Sequence, residues 1–81
     1  MSTNEKVATQ KTSDFNVCTA LLYFEHQLIE IDRKEPRRCI FVLSQEKNTD
    51  EIIEQFFNGK LSVDPKRFIT IQKELKSRIY A

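Results

Sequence analysis

The hydrophobic period of this 81-residue chain changes twice, and those changes constrain its fold more than any other feature. Between Phe15 and Phe24 the apolar residues recur at helical spacing, with Cys18 and Leu22, and Val17 and Leu21, one turn apart. Ala20 and Tyr23 widen that band, so the helix is expected to be well buried, capped by Ser13 or Asp14 and running to about Glu25. From Leu28 to Arg33 the period drops to two, Ile29 and Ile31 alternating with Glu30 and Asp32, which describes a half-exposed strand. The helical period returns with the i,i+4 pairs Ile52/Phe56 and Ile53/Phe57. Only a fold that mixes helix and sheet satisfies all three segments.

The intervening residues supply the breaks. Lys34-Glu35-Pro36-Arg37 interrupts the strand because Pro36 has no amide hydrogen for a ladder. Cys39 to Leu43 follows as a continuous apolar run, suited to a strand more covered than its partner, and the two strands make a hairpin. Asn48 or Thr49 caps the second helix, with Glu51 placed to reach back to the Asn48 amide. Asn58-Gly59 ends it, the sole glycine standing where a left-handed cap favours a residue without Cβ. Lys60 to Val63 alternates briefly, as a short third strand or an extended link. Asp64-Pro65 then opens a last helix whose stripe is Phe68, Ile71, Leu75 and Ile79. The expected fold is α+β, in the order α-β-β-α-(β)-α, with a small antiparallel sheet against three helices. Residues 1–12 are polar and unpatterned and are read as a disordered leader before a single domain over 13–81.

The residues that carry this architecture form a recognisable set. They are Thr12-Ser13-Asp14-Phe15, then Asp32-Arg33 with Arg37-Arg38-Cys39-Ile40-Phe41-Val42. Phe56-Phe57-Asn58-Gly59-Lys60 with Val63-Asp64-Pro65 and Phe68, and the ending Gln72-Lys73-Glu74-Leu75-Lys76-Ser77-Arg78-Ile79-Tyr80, complete it. Together they resemble a family of small bacterial and phage-associated domains of unknown function, over roughly residues 12–80. Members often have Gly where the first helix turns into the first strand and Trp near Phe57; this chain has His26-Gln27 and Phe57. The resemblance supports the fold boundaries and implies no activity.

Catalytic chemistry is not expected. His26 is the only histidine and lies at a helix end, where exposure or a dipole contact is commoner than general-base work. One glycine leaves no phosphate-cradling loop. Cys18, Cys39 and His26 are three soft ligands where a structural zinc site uses four, and the cysteines fall in apolar stretches, as buried thiols do. Glu25, Glu30 and Asp32 read as an exposed face more simply than as metal ligands. No metal, cofactor or small-molecule substrate is indicated. The longest apolar run is five residues, so no membrane span is expected, and the polar first residues carry no secretory pattern. The compartment expected is the cytoplasm.

Charge is informative only in its distribution. The net formal charge is +1, but residues 33–43 set four bases against Glu35, and residues 60–81 set six bases against Asp64 and Glu74. Positive charge therefore collects at the hairpin turn, on Arg33, Lys34, Arg37 and Arg38, and on the last helix, on Lys66, Arg67, Lys73, Lys76 and Arg78. Such blocks neutralise phosphates, which makes DNA or RNA the first expected partner of a non-catalytic binding module. The alternative is a protein adaptor or homodimer using Tyr23, Phe24, Phe57 and Tyr80, since a domain this small cannot cover all its aromatics.

Overall fold

The computed structural model describes residues 8–35 and 37–80. Its elements are β1 (Thr9–Thr12), α1 (Phe15–Tyr23), β2 (Leu28–Glu35), β3 (Arg38–Ser44), α2 (Thr49–Phe57) and α3 (Pro65–Ile79). The strands form one antiparallel sheet in the order β1-β3-β2. The class is α+β, as expected, but the order is β-α-β-β-α-α.

The third strand lies at the opposite end of the chain from the position suggested. Leu61–Val63 forms no strand, whereas Thr9–Thr12, assigned to the leader, pairs with residues 41–44. The reason is energetic. An edge strand is held by backbone hydrogen bonds to its neighbour, and Thr-Gln-Lys-Thr contributes little apolar area, so no periodicity announces it. Residues 1–7, the rest of that leader, lie outside the described residues.

β3 is the central strand, which accounts for its unbroken apolar run. Phe41 and Leu43 turn into the core, while Val42 on the opposite face is buried between its cross-strand neighbours Lys11 and Glu30. β2 departs from its alternating pattern because its register to β3 shifts between Leu28 and Glu30. Ile29 is the extra residue of that bulge and is left exposed, whereas Ile31 packs on the core.

α1 is the centre of the hydrophobic core. Val17, Cys18, Thr19, Ala20 and Leu21 are all buried, and α1 packs on the sheet while α2 and α3 pack on α1. Ile52 of α2 and Leu75 of α3 complete the core with Phe41 and Leu43. Asp14 caps α1, its Oδ1 accepting from the amides of Asn16 and Val17, and Asp64 caps α3 by accepting from Lys66. α2 starts differently from expectation: the Asn48 side chain makes no cap bond, and Thr49 Oγ1 accepts from the Glu46 amide at 2.7 Å.

α1 and α2 end alike. After α1, the His26 amide bonds to the Leu21 carbonyl and the Glu25 amide to that of Leu22; after α2, Lys60 bonds to Gln55 and Gly59 to Phe56. Both are Schellman turns, which require a left-handed residue. Gly59 fills that position at φ 71°, whereas Glu25 fills it at φ 69° with a Cβ in place. No helix among the described residues is long and apolar enough to cross a membrane.

Candidate functional site

β2 and β3 make the pair Glu35↔Arg38 at the turn end of the hairpin. Here the C-terminal end of α3 comes alongside. Arg33 Nη2 donates to the carbonyl oxygen of Arg78 at 2.7 Å, satisfying one of the carbonyls that a helix end leaves without an amide partner. The hairpin and α3 enclose a groove of about 330 Å³. Cys39 and Ile79, both packed on the core, form its apolar floor. The exposed residues Arg33, Arg37 and Arg38 line its sides, with Glu35 as the single acid. Tyr80 completes the lining and is 81% exposed.

The other cations named from the sequence are elsewhere. Lys34 is exposed on β2 next to the groove, its amide held by Asp32 Oδ1 at 3.0 Å. Lys66 and Arg67 stand in the first turn of α3, about 18 Å from its last turn at 1.5 Å per residue. Arg67 is committed to the fold: its guanidinium lies 4.5 Å from the centre of the Tyr23 ring and its Nη2 donates to the Tyr23 carbonyl at 3.3 Å. Lys76 lies over the Phe15 ring, with Nζ 5.8 Å from its centre. Lys73 is exposed on α3. The two basic blocks thus share a face only where the turn arginines meet the last turn of α3.

The four aromatic candidates divide as well. Tyr23 and Phe24 are half-buried, their rings 4.9 Å apart edge to face, and the Tyr23 hydroxyl accepts from the Asp64 amide at 2.9 Å. They close the core. Phe57 is 66% exposed, and Tyr80 belongs to the basic groove. Sequence reasoning missed Cys39, Ile79 and Glu35 as groove residues. The first two read as core positions and serve as both.

His26 is not exposed, and its ring meets the C-terminal end of α1. It is buried, with Nδ1 3.3 Å from the Phe24 carbonyl and Nε2 2.7 Å from Thr49 Oγ1. A carbonyl can only accept, so Nδ1 donates to Phe24; Nε2 bonds to Thr49 Oγ1, which also accepts from the Glu46 amide. The chain His26–Thr49–Glu46 ties the end of α1 to the start of α2. Cys18 and Cys39 are free thiols. Burial pushes the Cys18 thiol up to about 12, against a smaller lowering by the Arg78 charge, so it stays protonated at neutral pH. Among the described residues no three His, Cys, Asp or Glu side chains converge as metal ligands.

The molecule is thus a small α+β domain that gathers arginines and an exposed tyrosine round one groove. The chain belongs to the family described as a domain of unknown function (DUF5659), whose match spans residues 8–81. That span begins one residue before β1, and so includes the strand that the polar composition concealed. No curated protein and no solved structure matches the chain.

Proposed function

We propose that this domain is a non-catalytic module that binds nucleic acid through the hairpin turn and the C-terminal end of α3. The observation that carries the reading is the meeting of Arg33, Arg37 and Arg38 in one groove beside the last turn of α3. Guanidinium groups bind phosphate oxygens two at a time; Arg37 and Arg38 offer whole forks, and Arg33 adds the donors it does not use on the Arg78 carbonyl, so the three can follow a backbone whatever its sequence. Arg67 and Lys66 drop out by distance, since both stand in the first turn of α3, about 18 Å from its last turn. Free Cys18 and Cys39 suit work in the reducing cytoplasm.

The test is fluorescence anisotropy of labelled DNA and RNA at ~50 and ~200 mM salt. About three phosphate contacts on a single strand give a slope near −2, or roughly a 20-fold loss of affinity across that range. The double substitution Arg37→Ala, Arg38→Ala should remove most of the binding and leave the circular dichroism unchanged. Binding that ignores both salt and the double substitution would exclude this reading. The exposure of Phe57 favours a second one, self-association or docking on another protein, which salt would leave intact.

A further inference from the structure

We infer that the groove accepts one unpaired nucleotide of a single strand, with its base stacked on the Tyr80 ring and its phosphate held by Arg37 and Arg38. The inference rests on the nucleic-acid reading above and adds the class of strand.

Three features of the groove lead to it. First, its volume of about 330 Å³ is at the small end of the ~300–1,000 Å³ of ligand sites, so it is a concave place for one unit and not a track for a helix. Second, its lining is divided by chemistry. Cys39 and Ile79 offer apolar floor to a base, while the arginines offer charge to a phosphate. Third, Tyr80 follows the last residue of α3, lines the groove and keeps 81% of its surface exposed, so its ring is open to a partner. A ring presented this way beside guanidinium groups is a stacking platform.

A duplex cannot use that platform. Its bases already stack on each other along the helix, and only their edges reach the grooves. An unpaired base has a free face. Glu35, opposite Arg38 across the strand pair, limits the positive charge of the groove. A site with one acid among three arginines gains less from the dense charge of a duplex than a wholly basic surface does, which leaves stacking to discriminate.

The experiment uses the full chain with a labelled single-stranded oligonucleotide, a blunt-ended duplex of the same strand with its complement, and the single strand with abasic positions. All three are titrated by anisotropy at ~50 mM salt. The single strand is expected to bind at least ~10-fold more tightly than the duplex. Stacking on one aromatic ring corresponds to ~5- to 150-fold in affinity, so Tyr80→Ala and the abasic strand should each lose at least ~5-fold. Tyr80→Phe, which keeps the ring, should stay within ~2-fold of the parent. Tyr80 lies beyond the helix and is exposed, so its substitutions leave the melting temperature as an internal check on folding.

Two results overturn the inference alone: Tyr80→Ala binding like the parent while the Arg37, Arg38 double substitution does not, or the duplex binding as tightly as the single strand. In either case phosphates are held and no base is stacked. Absence of binding to every nucleic acid removes the nucleic-acid reading itself, and this inference with it.

Discussion

The two ends of the α1–α3 pair use the same residue type for different ends. At one end Arg67 reaches the carbonyl of Tyr23, the last residue of α1; at the other Arg33 reaches the carbonyl of Arg78, one residue short of the end of α3. Each arginine satisfies a helix C-terminus. Around Arg67, however, one tyrosine takes up the guanidinium: the Tyr23 ring lies 4.5 Å from it, and the Tyr23 hydroxyl receives the Asp64 amide. Around Arg33 the neighbours are Arg37, Arg38 and an exposed Tyr80. A cation counted in a sequence is therefore not a cation offered to a partner. What decides is where the fold places it and which other cations it stands beside.

The closed end should be costly to disturb. His26→Ala empties a buried site, removes the ring from the Phe24 carbonyl and leaves the Thr49 hydroxyl with only the Glu46 amide, a combination expected to cost ~2–4 kcal/mol. Chemical denaturation measures this directly. A loss below ~1 kcal/mol would show that the His26–Thr49 link does not hold this end, and the contrast between the ends would fail.

The helix caps sharpen the contrast at a smaller scale. Gly59→Ala places a Cβ at φ 71°, where no packing is disturbed but the backbone conformation is disfavoured, and about 1 kcal/mol of stability should be lost. Glu25→Gly removes a Cβ from φ 69° and should return up to about 1 kcal/mol. If both substitutions destabilise, the Glu25 side chain contributes something at the closed end that offsets its backbone strain.

Much of this fold was legible because its signals are local. Asp64-Pro65 opens α3 and Asn58-Gly59 closes α2 where those residues place them, since caps depend on neighbours in sequence. The stripe Phe68, Ile71, Leu75, Ile79 holds for the same reason, its members half-buried or buried along one face. What was not legible depends on partners far along the chain. β1 is a strand only because β3 offers it a ladder, and Ile29 is exposed only because the register to β3 shifts beside it. His26 is buried because Thr49, 23 residues on, completes its hydrogen bonding. The candidate site divides on the same line. Four basic residues at a turn could be read locally, but Arg67's engagement with Tyr23, 44 residues away, could not.

That engagement supplies the last and smallest test. The cation–π contact and the weak hydrogen bond of Arg67 are exposed, so Arg67→Ala should lower stability by only ~0.5–1 kcal/mol. Its effect on oligonucleotide affinity should be within ~2-fold, because a charge ~18 Å away is beyond the ~10 Å screening length at ~0.1 M salt. The Arg37, Arg38 double substitution should give the reverse: unchanged melting and most of the affinity lost. The two variants together form the decisive comparison, since both remove positive charge from the same small surface. If binding followed net charge alone, Arg67→Ala would weaken it about as much as Arg37→Ala does. Equal losses from those single substitutions would mean that the partner senses the whole field of the domain, and the groove would have no special claim. Unequal losses would place recognition at the end of the molecule where Arg33, Arg37 and Arg38 line one groove.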